Sequence, residues 1–280
     1  MIRSWLEALR VPGFRAPKPV VGVVRLAGVI GARAGTLQTG GITAAAFVQP
    51  LERAFAMKGA VAVALSINSP GGAPAQSSLI VKRIRSLAAE HNLPVFAFAE
   101  DVAASGGYML ACAADEIFAD DTSVIGSIGV ISAGFGFPEL LKKIGVERRV
   151  YTAGESKGML DPFQPEQPDE VEHLKELQRD VHDAFKELVR ERRAGKLKAS
   201  EDELFNGAFW TGRRALTLGL IDGIGELTDV MKARFGEKVR FRPVGARESW
   251  LRRRLGIESR IADGFLSAIE DRLWWSRFGL

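Results

Sequence analysis

Short apolar runs alternate with amphipathic stretches over the first hundred residues, and this alternation constrains the fold more than any other feature of the chain. The runs "VVGVVRLAGVI", "AVAVALSI" and "PVFAFAE" are rich in β-branched and aromatic residues, which predicts buried strands. The stretches between them, residues 40–57 and 75–91, predict helices. Neighbouring strands joined by helices pair in parallel with right-handed crossovers, so the sequence predicts an α/β fold with mainly parallel sheets.

The predicted helices differ in how clearly they are patterned. The first is predicted despite Pro50, and the second is amphipathic. The apolar side of the second comprises Leu79, Ile80, Ile84 and Leu87. Further along the chain, "EIFAD", "IGVI" and "ERRVYTA" predict short strands. A long helix is expected over residues 168–196, with an apolar line at Val171, Leu174, Val181, Phe185 and Leu188.

Composition and patterning divide the chain into an N-terminal arm (1–18), one domain (19–245) and a basic C-terminal tail (246–280). In the tail, apolar residues recur every four positions beside three arginines and two tryptophans: Ile257, Ile261, Phe265, Ile269, Leu273, Arg252, Arg253, Arg254, Trp274 and Trp275. A basic helix edged by tryptophan can lie in a membrane interface. Packing on its own domain or on a neighbouring subunit is an equal alternative, so peripheral membrane contact stays open.

Charge and cysteine content exclude several kinds of site. The net charge of +4 is spread over mixed signs, so nothing singles out nucleic acid as a partner. The single Cys112 excludes an internal disulfide and a multi-cysteine metal site, and it is expected to be a buried small residue. Neither a metal nor a cofactor is expected. No secretory signal and no apolar run of the ~20 residues that span a bilayer is seen, which favours the cytoplasmic side. Peripheral contact with the inner membrane stays an open alternative.

The histidines offer little support for a catalytic triad. His91, His173 and His182 each lie among charged residues and are interpreted as solvated helix-face or loop residues. The G-x-S-x-G motif is absent because position 103 is alanine, and neither an H-E-x-x-H nor a Walker motif occurs. A nucleophilic serine in this chain therefore needs a different base.

A lysine held neutral by burial is the remaining way to activate a serine. The stretch "AEDVAASGGYMLACAAD" places Ser105 among small apolar residues. Lowering a lysine pKa from ~10.4 to about 7 or 8 needs roughly 3 to 5 kcal/mol of differential solvation, which a desolvated site can supply. Lys157 stands apart from the lysines in charged helical runs, because it lies between Gly154 and Gly158 in "TAGESKGMLDPF". An ordinary exposed turn lysine is the alternative.

The turn "INSPGG" follows a predicted buried strand. Gly71 and Gly72 permit close approach of the backbone, so their N–H groups could face an acyl oxygen. An ordinary strand-to-helix turn fits the same residues equally well.

Five motifs in order resemble those of the signal peptide peptidase A (protease IV) family of bacterial Ser-Lys peptidases, over about residues 20–235. They are "INSPGG", "AASGGYMLACAAD", "GSIGVI", "GESKGMLDPF" and "FWTGRRALTLGLIDGIG". The resemblance implies a Clp-protease/crotonase-like fold, a spiral of ββα units. It also implies Ser105 as nucleophile, Lys157 as general base and Ser127 as the residue that helps position the lysine amine. Gly71 or Gly72, together with Gly106, would form the oxyanion hole.

The function implied by this resemblance is a serine endopeptidase that hydrolyses short hydrophobic peptides, such as remnant signal peptides or membrane-derived peptides. Members of the family assemble as homo-oligomers that enclose their active sites, so a homo-oligomer is expected here. Two alternatives are kept: a catalytically silent oligomeric scaffold at the membrane, and a crotonase-like enzyme acting on a coenzyme A thioester.

Overall fold

The computed structural model describes residues 18–31, 41–245 and 275–278. Nearly all of the predicted N-terminal arm and of the predicted C-terminal tail lies outside these residues. The strands in the described part are β1 (Val20–Ala27), β2 (Ala60–Ser69), β3 (Val95–Ala104), β4 (Glu116–Ala119), β5 (Val124–Gly126), β6 (Phe209–Thr211), β7 (Gly223–Ile224) and β8 (Arg240–Val244).

These strands form one sheet in the order β6-β5-β3-β2-β1-β8, with β4 and β7 on a branch from β3. Pairing is parallel throughout except between β5 and β6. Along one edge of β3, the first half pairs with β4 and the second half with β5. The predicted mainly parallel α/β architecture is therefore confirmed, and the carboxyl ends of β2, β3 and β5 lie side by side.

The helices in the described part are α1 (Ala44–Phe55), α2 (Pro74–His91), α3 (Gly106–Ala111), α4 (Pro138–Lys143), α5 (Pro168–Arg192), α6 (Glu201–Leu204), α7 (Gly212–Leu218) and α8 (Leu227–Phe235). Pro50 lies inside α1, as predicted, and Ile80, Ile84 and Leu87 of α2 are buried. The prediction that Leu79 lies on the buried side is wrong, because its side chain is half exposed and Val81 is buried instead.

The sheet has an apolar cluster on each face. Leu51 of α1, Ile80 of α2 and Leu110 of α3 belong to the larger cluster, which also contains the buried Cys112 that the sequence predicted. Met231 of α8 belongs to the smaller cluster, with Phe96 of β3. None of the helices in the described ranges is long and apolar enough to cross a membrane.

Two predicted strands are absent. Residues 128–131 ("IGVI") form no strand, because β5 ends at Gly126, and residues 147–153 ("ERRVYTA") form none either. Every residue from 142 to 158 is exposed, so the second stretch has no neighbouring strand to accept its backbone hydrogen bonds. We call residues 131–165 the exposed segment. It leaves the domain after β5 and returns at the start of α5.

Candidate active site

Ser105 lies at the junction between β3 and α3, at the carboxyl end of the sheet. Its backbone has φ 52° and ψ −123°, a conformation that L-residues other than glycine rarely adopt. The Ser105 N–H donates to the Gly126 carbonyl at 2.8 Å, and its carbonyl accepts from the Tyr108 N–H at 2.9 Å. Strained backbone at a strand-to-helix turn is a feature of nucleophile sites, where it turns the side chain outward.

Glycines surround Ser105 because the backbones approach too closely for side chains. A Cβ at Gly106 would lie 2.6 Å from the Ser77 Oγ, and one at Gly107 would lie 2.4 Å from the Ser69 carbonyl oxygen. A Cβ at Gly71, where φ is +107°, would lie 2.8 Å from the Ser105 Cβ. Gly71, Gly106 and Gly107 are therefore required by close packing among α2, α3 and the end of β2.

A small cleft of about 20 Å³ opens beside Ser105. It is lined by Gly72, Pro74, Ser105, Gly106, Met109, Gly129, Val130, Val181 and Phe185. The Gly71 N–H is already engaged with the Ser69 Oγ at 3.2 Å. The N–H groups of Gly72 and Gly106 have no acceptor within the described ranges. Of the three glycines predicted for an oxyanion hole, Gly72 and Gly106 line the cleft, and Gly71 lies behind them.

Ser127 follows β5 and also has a strained backbone, with φ 52°. It is buried, and its N–H donates to the Ala208 carbonyl at 2.7 Å. Ala104 at the end of β3 pairs with Gly126 at the end of β5, so Ser127 and Ser105 follow adjacent strand ends. The two motifs therefore meet at one edge of the sheet, and the role of Ser127 in positioning a lysine amine stays a prediction.

Lys157 is not brought to this site within the chain. It lies on a 3₁₀ turn (Glu155–Gly158) of the exposed segment, its side chain is in solvent, and it does not line the cleft beside Ser105. Cβ atoms built at Gly154 and Gly158 would contact nothing within 4 Å. An exposed ammonium keeps its hydration, so the burial that the sequence argument requires is missing in the isolated chain.

His182 is a residue that the sequence interpretation missed. The sequence assigned it to a solvated helix face, but it is partly buried on α5 and its Nε2 lies 3.1 Å from the Ile128 carbonyl oxygen. The signal available in the sequence was its position between Val181 and Phe185, both of the predicted apolar line, which line the cleft. In α5, Phe185 and Val189 are buried, and Val189 was not predicted.

A network of buried polar groups joins α3 to residues 219–222. The Tyr108 hydroxyl donates to the Leu220 carbonyl at 2.7 Å, and burial raises the pKa of the neighbouring Cys112 thiol to about 12. Arg193, only 2% exposed, donates to the Gly219 carbonyl and forms an ion pair with Asp222. Burial acts to raise the pKa of Asp222, but hydrogen bonds from Arg193 and Lys196 lower it overall. With its high pKa, the Cys112 thiol is not a nucleophile.

A larger cavity, of about 710 Å³, lies near the carboxylates Glu100, Asp101, Asp120 and Glu226. Glu100 is paired with Arg25 at 2.7 Å, and this hydrogen bond lowers the Glu100 pKa. Asp120 accepts from Thr122, and Glu226 caps α8. Glu100, Asp120 and Glu226 therefore have structural partners. No three His, Cys, Asp or Glu side chains in the described ranges are grouped so as to hold a metal ion.

The chain is similar to a known protein family over more than half of its length. The sequence profile of peptidase family S49 matches residues 88–238, a range that includes Ser105, Ser127 and Lys157. A "Serine protease SPPA, chloroplastic" from Arabidopsis thaliana is 32% identical over 219 residues, which are 77% of this chain and 32% of that protein.

A second relative has a different name. A protein named "Na(+)/H(+) antiporter NhaA" from Brucella melitensis is 52% identical over 280 residues, covering 95% of this chain. This chain spans 38% of the length of that relative and of its counterpart from Brucella abortus. The name belongs to a much longer protein.

One solved structure is similar in fold, a membrane-bound stomatin-specific protease, 1510-N, in a serine-to-alanine mutant form. Its TM-score is 0.50 at 17% identity, covering 83% of this chain and all of that one. This likeness, together with the mainly parallel sheet, confirms the predicted Clp-protease/crotonase-like fold.

Proposed function

Because the chain belongs to peptidase family S49, we propose that it is a serine endopeptidase with Ser105 as nucleophile and Lys157 as general base. The observation that carries the proposal is the strained backbone of Ser105 beside a cleft lined by Gly72 and Gly106, whose N–H groups have no acceptor in the described part of the chain. Donors of this kind stabilise the oxyanion of an acyl-transfer reaction, and a base is still needed to take the serine proton.

The proposed reaction has two steps. The Lys157 amine takes the Ser105 hydroxyl proton while the Ser105 Oγ attacks the peptide carbonyl, and the lysine then gives that proton to the leaving amine. A water molecule hydrolyses the resulting acyl-enzyme with the same lysine as base. The N–H groups of Gly72 and Gly106 stabilise the oxyanion, and one such donor is typically worth about 3 kcal/mol of the activation free energy.

We place the Lys157 of one copy beside the Ser105 of another in a homo-oligomer. The exposed segment carries apolar side chains that a lone chain leaves in water: Ile131, Phe135, Leu140, Ile144, Val146, Val150, Tyr151, Leu160 and Phe163. Phe135 is 81% and Tyr151 is 90% exposed. A surface of this kind is typical of a protein interface, and covering it would also desolvate a lysine on the same segment.

The proposed substrates are short hydrophobic peptides, such as remnant signal peptides or membrane-derived peptides. The cleft beside Ser105 is small and its side-chain lining is apolar, with Met109, Val130, Val181 and Phe185, which favours small apolar side chains near the scissile bond. Peripheral contact with the cytoplasmic face of a membrane through the basic tail would bring the enzyme to such peptides. We also propose that the chain is divided into an N-terminal arm (1–18), a peptidase domain (19–245) and a basic C-terminal tail (246–280).

A complementation experiment tests both the dyad and its division between copies. Ser105→Ala and Lys157→Ala should each abolish hydrolysis of apolar peptides, and co-expression of the two should restore roughly a quarter of wild-type activity, because that share of sites pairs an intact serine with an intact lysine. Lys143→Ala, on α4 of the same segment, is the matched control and should stay active. Loss of activity that co-expression does not restore would place both groups in one copy. Full activity of Lys157→Ala would reject the dyad.

A further inference from the structure

We infer that His182 is a positioning residue that fixes residues 128–130, one wall of the cleft beside Ser105, and so sets how tightly a peptide is bound. This inference rests on the proposed peptidase function, which supplies the substrate. Its structural basis is a hydrogen bond from α5 to Ile128, which lies between β5 and the exposed segment.

The polarity of this bond follows from the two groups. A carbonyl oxygen only accepts, so the His182 Nε2 must donate to the Ile128 oxygen across the 3.1 Å that separates them. Both the neutral Nε2–H tautomer and the imidazolium can do this. The Ile128 side chain is fully buried and His182 is partly buried, so water competes poorly for the bond.

Two contacts with the turn before β6 also hold the neighbouring residues in place. The Ser127 N–H donates to the Ala208 carbonyl at 2.7 Å. A Cβ at Gly129 would lie 2.9 Å from the Gly207 Cα, so the two backbones are in close contact. Residues 127–129 are thus held by the turn before β6 and by His182.

The position of the bond along the chain gives it a particular role. In the described ranges, no hydrogen bond joins residues 131–136 to the body of the domain, and Ile131 is already 60% exposed. The His182 bond is therefore the last one before the exposed segment departs. The flanking residues of α5, Val181 and Phe185, contact the same cleft as Gly129 and Val130. One turn of α5 supplies an apolar side of the cleft and fixes the backbone next to it.

Loss of the bond should loosen residues 128–130 without touching the reacting groups. Peptide binding would weaken because part of the wall must be ordered on binding, and the chemistry at Ser105 would continue once the peptide is bound. A rise in KM at unchanged kcat is the signature of this role.

Two substitutions separate the hydrogen bond from the size of the side chain. His182→Gln places an amide N–H the same number of bonds from the backbone as Nε2, and His182→Asn ends too early to reach Ile128. We expect His182→Asn to raise KM for an apolar peptide roughly fivefold, in line with loss of one hydrogen bond, at unchanged kcat. His182→Gln should stay near wild type. His173→Asn and His173→Gln, on an exposed face of the same helix, are the matched controls.

Amide hydrogen exchange gives a readout that does not depend on activity. Exchange at residues 128–131 should rise in His182→Asn and not in His182→Gln, with labelling of Ser105 by a fluorophosphonate probe unchanged in both. An unchanged KM and exchange rate in His182→Asn would overturn the inference, as would equal losses in both variants. If Ser105→Ala still hydrolyses peptide, the proposed function fails. The exchange data alone then decide whether His182 holds residues 128–130 in place.

Discussion

The surroundings of Ser105 and the exposed segment that carries Lys157 are built in opposite ways. Around Ser105 the chain is so closely packed that glycines at 71, 106 and 107 leave no room for a Cβ. Around Lys157 the chain is open, and Cβ atoms at Gly154 and Gly158 would touch nothing. The difference indicates that the fold of one chain completes the surroundings of the proposed nucleophile and leaves the proposed base uncovered.

The largest expected effect is a loss of activity when either proposed reacting group is removed, and the two regions should then differ in stability. Ser105→Gly and Lys157→Ala should both reduce peptide hydrolysis by at least about a thousandfold, since each removes a group on which the other depends. Ser105→Gly should also raise the free energy of unfolding by about 1 kcal/mol, because glycine adopts φ 52° without the strain of serine. Lys157→Ala should leave that free energy within about 0.5 kcal/mol of wild type.

Urea denaturation of the two variants, beside peptide hydrolysis, measures both effects. A Ser105→Gly protein that is less stable than wild type would mean that the serine side chain, and not its backbone strain, dominates at this position.

Buried and exposed ion pairs provide a second contrast. Asp222→Asn removes the partner of buried Arg193 and should cost about 3 kcal/mol of stability at neutral pH. Glu147→Gln removes an exposed partner of Arg149 in the exposed segment and should leave the melting temperature unchanged.

The pH dependence of this contrast has a definite sign. The pKa of Asp222 is lower in the folded chain than in the unfolded one, so its contribution is present above about pH 4 and is lost as the pH falls through the folded value. Thermal melts between pH 7 and pH 3 should therefore show a steeper acid loss for wild type than for Asp222→Asn. Parallel curves for the two proteins would contradict the assignment of a lowered pKa.

The contrast between closely packed and exposed regions also decides what the sequence could predict. The strands β1, β2 and β3 and the packing of α2 follow from the apolar pattern. The close packing around Ser105 follows from its glycine neighbours, because close approach of backbones leaves a signature in residue type. The strand expected at 147–153 is wrong, because β-propensity does not supply a neighbouring strand. His182 was missed because a tertiary hydrogen bond to a carbonyl leaves no mark on the sequence around it. The predicted burial of Lys157 needs surface from outside the chain.

A final contrast comes from adding one methyl group to a glycine of each region. At Gly107 the new Cβ would lie 2.4 Å from the Ser69 carbonyl oxygen, so α3 must shift, and Gly107→Ala should lower the free energy of unfolding by about 2 kcal/mol. At Gly158 the Cβ would enter open space, and Gly158→Ala should be neutral or stabilising by about 0.5 kcal/mol through the unfolded state. Denaturant titration at low protein concentration, where copies are separate, measures both values. If Gly158→Ala proves destabilising only at concentrations where the protein assembles, Gly158 lies in the interface between copies. The exposed segment is then covered in the oligomer.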